Sequence, residues 1–144
     1  MDTVISFFSE DVALPKFKEE NIRRWLIDVS NQYERRISFI NYIFCSDPHL
    51  LEINRTHLGH DYLTDIITFD YEEDEIEGDV FISIDRVADN AKAFHQPTTK
   101  ELQRIMVHGL LHLIGFKDKN PEDKQKMTEA ENNALLLYDK HYNT

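Results

Sequence analysis

The stretch TTKELQRIMVHGLLHLIG, residues 98–115, predicts a long helix buried at the centre of the fold. Thr98 and Glu101 have the spacing of a capping box that opens a helix, and Gly115 is placed to end it. Apolar side chains cover a wide arc of this helix, as expected of a buried one: Leu102, Ile105, Met106, Leu110, Leu113 and Ile114. The rest of the chain should therefore supply a sheet and helices that cover it.

Four short segments rich in β-branched and aromatic residues predict strands before this helix. They are residues 4–10, 38–46, 65–72 and 78–85. The last two segments alternate apolar and polar side chains and are separated by an acidic turn. They should therefore form an antiparallel hairpin.

Prolines and capping residues mark the expected starts of the other helices: Pro15, Asp47–Pro48, Asp85 and Asn120–Pro121. The helix capped by Asp85 is expected to run to about Phe94. The resulting order, β-α-β-α-β-β-α-α-α, predicts an α+β fold with about five helices on a mixed, mostly four-stranded sheet. We expect residues 1–144 to form a single domain.

Length and composition fit a globular chain of 144 residues with 41% apolar residues. No apolar run approaches the length of a membrane span, and the N-terminus lacks the features of a signal peptide. Cys45 is the single cysteine, so an internal disulfide is impossible, and we expect it to be a buried apolar residue. The expected compartment is the cytoplasm.

The net charge of −11 argues at first against a nucleic-acid partner. Residues 70–79, however, contain seven acidic side chains and no basic one, and subtracting those seven charges leaves −4. The acidity is therefore local to the predicted hairpin turn. Net charge does not exclude an RNA substrate.

Two histidines and an aspartate in HGLLHLIGFKDK, residues 108–119, have the spacing of metal ligands. His108 and His112 are four residues apart on the predicted helix, so their imidazoles leave one face about 5–6 Å apart. Gly115 lets the chain turn back, and Asp118 can then bring an oxygen to the same point. Three protein ligands leave one position open, which is typical of catalytic zinc sites. Two alternatives stay open: Glu122 or Asp123 as the third ligand, or histidines with purely structural partners.

The same spacing resembles that of a zinc protease, in which a glutamate follows the first histidine and acts as the general base. Here that residue is Gly109, which cannot accept a proton. A peptidase would therefore need a base from elsewhere in the chain. The sequence does not indicate one.

Three blocks of the chain resemble the YbeY family of metal-dependent endoribonucleases. HGLLHLIGFKDK is similar to that family's HGxLHLxGYxH signature, and EINRTHLGHDYLTDIITFDY and EGDVFISID resemble two further family segments. The resemblance covers roughly residues 47–135. It implies an α+β domain that cleaves single-stranded ribosomal RNA, with a role in maturing the 3′ end of small-subunit (16S) RNA and in ribosome quality control. The implied partners are the small ribosomal subunit and its assembly factors.

The resemblance also implies a zinc ion and a set of site residues. The signature ends in histidine where this chain has Asp118, and an oxygen ligand shifts the preference towards harder ions. Arg55 matches the family's N-R step and is expected to clamp a phosphate, since a guanidinium can bond two phosphate oxygens. A surface salt bridge near Glu52 is its alternative.

Other residues are weaker candidates for contacts to RNA or to the metal site. Asp65 and Thr68 match family positions, although Asp65 could equally cap a turn. The remaining candidates for RNA contact are loop, aromatic and basic side chains: His57, His60, Tyr62, Phe116, Lys117 and Lys119. Each has an ordinary structural alternative, as a solvated or core residue.

The leading hypothesis is a metal-dependent endoribonuclease in which water attacks the phosphodiester while Arg55 holds the phosphate. Attack by the ribose 2′-OH is an open alternative. Two other classes of protein compete with it: a zincin-like metallopeptidase, and a non-enzymatic ribosome assembly module with a structural metal. The lone cysteine weakens the last, because structural zinc sites commonly use four ligands with thiolates.

Overall fold

The computed structural model describes residues 2–143, which form four strands and five helices. The strands are β1 (Val4–Ser9), β2 (Ile37–Cys45), β3 (Ile66–Asp70) and β4 (Ile76–Ser83). The helices are α1 (Glu19–Gln32), α2 (Asp47–Leu58), α3 (Ile84–Ala93), α4 (Thr98–Ile114) and α5 (Pro121–His141). The predicted α+β class and the predicted order of elements are both confirmed.

The four strands form one mixed sheet in the order β1-β2-β4-β3. β1 and β4 each pair in parallel with β2. β3 pairs antiparallel with β4, as the alternating hairpin pattern predicts, with Thr68 opposite Val80. Parallel strands need covering on both faces, which explains why β2 is buried along most of its length.

Side chains on the two faces of the sheet belong to two separate apolar cores, one larger than the other. Ile40, Tyr42 and Phe44 of β2 point into the larger core, where they meet α1, α4 and α5. Cys45 points to the other face and packs with Leu50 of α2 and Ile67 of β3. The buried, unpaired Cys45 is thus the apolar residue that the sequence predicts.

The first helix begins later than predicted. Pro15 does not open it; α1 begins at Glu19, after Lys18. The ring of Phe17 packs edge-on against Phe7 with a centroid separation of 4.9 Å. We attribute the late start to this contact, because it engages the segment before Glu19 in packing on the sheet.

The caps predicted for three other helices are also wrong. Helix α2 begins at Asp47 and not after it, because Ser46 is the cap and accepts a hydrogen bond from the N–H of His49. Asp85 does not cap α3, because its carboxylate accepts a hydrogen bond from the backbone N–H of Asp47 (2.8 Å). Ser83 is the cap instead and accepts from the N–H of Arg86. At α4 the N-cap is Pro97, and no capping box forms, since the side chain of Glu101 is buried. Asn120 does cap α5, as predicted.

Helix α4 lies against the sheet and between the other helices, and most of its residues are buried. A Cβ built on Gly109 would lie 2.9 Å from Val80 Cγ1 of β4 and 3.2 Å from Ile66 Cδ1 of β3. Glycine at this position therefore lets the helix approach the sheet closely. Within residues 2–143, no helix combines the length and the apolar character that crossing a membrane requires.

Candidate metal centre

His108 and His112 leave the same face of α4, one turn apart, as the spacing predicts. Their rings lie edge to face with centroids 4.5 Å apart. Their side chains are 19% and 23% exposed. Both imidazoles are thus largely desolvated but open to solvent on one side, which a ligand or substrate could approach.

The turn after α4 brings Asp118 to the two imidazoles. Gly115 ends the helix at a φ of 128°, a conformation that favours glycine. Asp118 Oδ2 then lies 3.4 Å from His112 Nε2 and 3.7 Å from His108 Nε2. Among residues 2–143, these three side chains are the group of His, Cys, Asp and Glu residues able to hold one metal ion, with donor atoms all within 4.8 Å of one another.

The distances from Asp118 to the two histidines fit a tetrahedral ion. Ligand bonds of about 2.0–2.1 Å in tetrahedral geometry place two ligand atoms roughly 3.3 Å apart. The two nitrogen-to-oxygen distances, 3.4 and 3.7 Å, are within a few tenths of an ångström of that value. Two imidazole nitrogens and a carboxylate oxygen are also a donor set that zinc accepts. The residues therefore fit a bound metal ion.

Hydrogen bonds at the far ring nitrogens orient both imidazoles towards Asp118. His108 Nδ1 lies 2.6 Å from Glu131 Oε2, and His112 Nδ1 lies 3.1 Å from the backbone oxygen of Phe116. Both partners accept, so each Nδ1 carries the proton and each Nε2 keeps its lone pair for a ligand bond. Carboxylate and carbonyl partners of this kind commonly fix metal-binding histidines.

Glu131 is the functional residue that reading the sequence missed. It lies on the buried face of α5, and Arg104 Nη1 donates to its other oxygen at 2.8 Å. A signal was present, because Met127, Ala130 and Ala134 mark that face as apolar and Glu131 interrupts it. The periodicity of α5 shows a buried carboxylate, but it does not show which histidine the carboxylate meets.

The surroundings shift the pKa values of the two histidines in opposite directions. Burial pushes the pKa of His108 down, but the hydrogen bond and charge of Glu131, with the charges of Asp65 and Asp118, raise it above its ordinary value. Burial, followed by the charge of His108, lowers the pKa of His112. The site therefore favours a positive charge beside His108, which a metal cation would supply in place of a proton.

Asp65, a candidate from the sequence, lies within electrostatic range of this centre. Burial raises the pKa of its carboxyl group, while the charge of His108 acts in the opposite direction. Its backbone oxygen accepts from the N–H of Ser83 (3.0 Å), which ties the start of β3 to the end of β4. Thr68, the neighbouring candidate, is a half-buried residue within β3.

The alternative third ligands have other roles in α5. Glu122 pairs with Lys126 one turn along the helix, at 3.5 Å. The backbone N–H of Asp123 donates to the capping side chain of Asn120. Asp118, and not these two, is the carboxylate that the structure brings to the histidines.

Arg55 lies on α2 and forms an ion pair with Asp61, with Nε 2.5 Å from Oδ1. Its partner is thus Asp61 and not the neighbouring Glu52 considered from the sequence. The side chain is 51% exposed. The ion pair uses Nε, and the two terminal nitrogens of the guanidinium have no hydrogen-bond or ion-pair partner within residues 2–143, so they are available to a ligand.

The weaker candidates occupy two kinds of position. His57, His60 and Tyr62 are exposed, and the ring of His60 stacks on Tyr62. Lys117 and Lys119 lie on either side of Asp118, and both are exposed. Phe116, in contrast, packs edge-on against Tyr33 at the border of the larger core.

Comparisons with known proteins agree with the resemblance seen in the sequence. Residues 4–139 match the family model described as Endoribonuclease YbeY. A protein of that name from Phocaeicola vulgatus is 50% identical over 135 residues, which are 93% of this chain and 98% of the relative. Another from Cytophaga hutchinsonii is 48% identical over 138 residues, covering 94% of this chain and 96% of the relative.

A solved structure shares the fold. The solution structure of a Thermotoga maritima protein matches with a TM-score of 0.66 and 26% identity, over 96% of this chain and 93% of that one. The geometry also argues against the metallopeptidase hypothesis. Position 109, where a zinc protease carries its general base, faces β3 and β4 and not the two histidines' side of the helix. The family match confirms the predicted class of enzyme: the chain belongs to the YbeY family of endoribonucleases, hydrolases that act on RNA.

Proposed function

We propose that this endoribonuclease is metal-dependent and cleaves single-stranded ribosomal RNA in the cytoplasm. Within this proposal, residues 1–144 form one catalytic domain, and the substrate is the 3′ end of small-subunit precursor RNA. The small ribosomal subunit and its assembly factors present that RNA. The enzyme thereby serves both RNA maturation and ribosome quality control.

The observation that carries the proposal is the convergence of three oriented donors. His108 Nε2, His112 Nε2 and Asp118 Oδ2 meet at one partly exposed point, and Glu131 and the Phe116 carbonyl hold the two rings in place. We propose these three residues as the metal ligands and Zn²⁺ as the ion. A bound ion there would act as a Lewis acid on a phosphodiester and lower the pKa of water.

Arg55 is the proposed phosphate clamp. Its Nε is engaged by Asp61, which fixes the plane of the guanidinium. The terminal nitrogens can then donate to two phosphate oxygens and hold the scissile group. Holding the phosphate in a fixed orientation lowers the entropic part of the barrier, whichever oxygen attacks.

The test is cleavage of a single-stranded RNA that carries the 3′ end of small-subunit precursor RNA. We expect cleavage by the wild type, and a loss of about 100-fold or more in kcat/KM for Arg55→Ala, since charge-stabilising groups in other enzymes contribute on that order. Arg24→Ala is a matched control, because Arg24 is also exposed and paired with a nearby acid. Equal activity of both variants would contradict the role of Arg55.

The end groups of the products distinguish the two candidate nucleophiles. Attack by water should leave a monophosphate at one new end and a hydroxyl at the other. A 2′,3′-cyclic phosphate would show attack by the ribose 2′-OH instead. If the folded, metal-loaded protein cleaves other RNAs but not this one, the proposed ribosomal substrate is wrong.

A further inference from the structure

A second cleft lies on the same side of α4 as the metal centre. It is about 540 Å³ in volume and is lined by Phe94, Gln96, Glu101, Arg104, Thr128 and Asn132. Clefts of roughly 300–1,000 Å³ are typical of small-molecule sites. Its walls combine an aromatic ring, two amides, a carboxylate and a guanidinium, which are groups that bind a nucleobase.

Glu101 is the unusual member of this set. It is buried, with 7% of its surface exposed. Among residues 2–143, its carboxylate has no hydrogen-bond or ion-pair partner, and Arg104 acts on it only through longer-range charge. Among the side-chain atoms of residues 2–143, only Gln103 Oε1 is both sealed from solvent and without a hydrogen-bond partner, so the Glu101 oxygens are accessible from the cleft. The carboxylate therefore lines the cleft as an acceptor without a donor.

The surrounding side chains fit a flat, polar ligand. The ring of Phe94 is 65% exposed and is free to stack on a base. Asn132 accepts a hydrogen bond from Arg104 Nη2 through its oxygen, at 2.8 Å. That bond uses the amide oxygen of Asn132 and leaves its amide nitrogen available as a donor.

We propose that this cleft binds a guanine base of the RNA substrate, with the Glu101 carboxylate accepting hydrogen bonds from guanine N1–H and N2–H. This inference rests on the endoribonuclease function and concerns substrate choice. Guanine presents two neighbouring donors that match the two oxygens of a carboxylate. Adenine, cytosine and uracil each place an acceptor beside the donor on that edge, and the acceptor would repel the second oxygen.

The position of the cleft suits a base close to the cleaved bond. Glu101 is seven residues before His108 on α4, so the two side chains lie on one face and roughly 10 Å apart along the axis. The two sites also share a hydrogen-bond path, since Arg104 donates to Glu131 and Glu131 accepts from His108. A guanine in the cleft would thus lie within one or two nucleotides of the scissile phosphate.

The test is binding without cleavage, so that its outcome does not depend on catalysis. Fluorescently labelled RNA hexamers, uridine throughout except for one central G, A, C or inosine, are titrated with the protein in excess chelator. Because a short strand can slide, a single G can reach the cleft in any register. We expect the G hexamer to bind roughly five- to a hundredfold more tightly than the A, C and all-uridine hexamers. Inosine, which lacks the 2-amino group, should lose part of this preference.

The variants separate recognition from folding. Glu101→Gln should bind all hexamers with nearly the same affinity, while Glu129→Gln, an exposed control on α5, should keep the preference for G. Phe94→Ala should lower the binding affinity for every hexamer to the same extent, roughly fivefold or more, because stacking does not depend strongly on the base. Equal binding of all hexamers by the wild type would overturn the proposal, whether or not the protein cleaves RNA. A uniform loss in a folded Glu101→Gln would overturn it as well.

Discussion

At the scale of single residues, Glu131 and the Phe116 carbonyl decide what the two histidines can do. Each imidazole is a ligand only if its Nε2 lone pair faces Asp118, and the partner at Nδ1 sets that tautomer. Glu131 also accepts from Arg104, so its own position is fixed. The geometry of the three candidate ligands therefore depends on a residue on α5 that is not one of them.

Glu131→Gln should weaken metal binding by about 10- to 100-fold, the range found for such orienting partners in other metal sites. The amide keeps the size of the side chain but removes the charge that favours a cation beside His108. Competition with a chromophoric chelator measures this affinity directly. Glu129→Gln, an exposed change on the same helix, should leave it unaltered; a fall of equal size in both variants would contradict the orienting role.

Asp118→Asn should reduce metal affinity by about 10-fold or more, because a neutral amide oxygen is a poorer ligand than a carboxylate. Asp123→Asn removes the same charge from a nearby carboxylate and should leave affinity close to that of the wild type. The same competition assay compares the two. A larger effect at Asp123 would mean that the third ligand had been assigned to the wrong carboxylate.

At the scale of elements, the site depends on how closely α4 approaches the sheet. Gly109 lies over Val80 of β4, where a Cβ would be 2.9 Å from a methyl group. This contact places one face of α4 on the sheet and leaves the face with His108 and His112 towards the turn that carries Asp118. The packing of one helix thus sets the geometry of the metal centre.

Gly109→Ala should destabilise the fold by about 1–3 kcal/mol, the usual cost of adding a methyl group to a close-packed interface. Urea unfolding measures this free energy. Val80→Ala removes the methyl group that the added Cβ would meet, so the double variant should lose less stability than the two single losses added together. If the stability losses of the two single variants simply add in the double variant, the close contact between α4 and Val80 is not the reason that position 109 requires glycine.

Periodicity and spacing predicted most of the elements, including α4, the β3–β4 hairpin and the α+β order, because these depend on local pattern. The predicted starts of α1, α3 and α4 were wrong in position or in cap because tertiary contacts set them. Phe17 packs on the sheet, Asp85 binds the backbone of Asp47, and Glu101 is buried. None of these contacts is visible in a local window of sequence.

In the candidate metal centre, too, the residues close in sequence could be predicted and the tertiary contacts could not. His108, His112 and Asp118 could be predicted to meet because they lie within eleven residues, on one helix and the turn after it. Glu131 and Arg104 could not be predicted as a pair, since they come from helices whose relative rotation only the fold determines. Site residues that lie in one segment of the chain could therefore be predicted from the sequence, whereas contacts between residues of different segments could not.

At the scale of the whole molecule, acidic groups are distributed unevenly. Residues 70–79 carry seven of them at a largely exposed hairpin. Exposed carboxylates stay hydrated and destabilise the fold little, and their clustering leaves the rest of the surface nearer to neutrality. Glu101 and Glu131 are instead buried, and Asp65 is half-buried, around α4 and beside the metal centre or the second cleft. Burial raises the pKa values of Asp65 and Glu101, so each of these two carboxylates destabilises the fold when it is charged.

Glu101→Gln should stabilise the metal-free protein at neutral pH. Burial raises the pKa of Glu101 above its ordinary value of 4.5, with Arg104 acting against the shift and Asp65 and Glu131 adding to it. A raised carboxyl pKa means that the folded state holds the proton more tightly. The contribution of protonated Glu101 to the free energy of unfolding is therefore fully present below about pH 4.5. It is lost as the pH rises through the pKa of Glu101 in the folded state.

Urea unfolding of both proteins at several values between about pH 4.5 and pH 7.5 tests this prediction. The advantage of Glu101→Gln should be smallest at the acidic end and grow with pH. Glu129→Gln, which changes an exposed carboxylate, should follow the wild type throughout. Parallel curves for wild type and Glu101→Gln would show that Glu101 finds a compensating partner in solution.

The most direct single measurement is cleavage of single-stranded RNA by purified protein with chelator and with Zn²⁺ added back, beside folded His112→Ala. We expect cleavage by the wild type that stops on chelation, returns with the metal, and is at least about 100-fold slower in His112→Ala at every metal concentration. Cleavage that continues in chelator, or that His112→Ala retains, would contradict a catalytic metal centre at His108, His112 and Asp118.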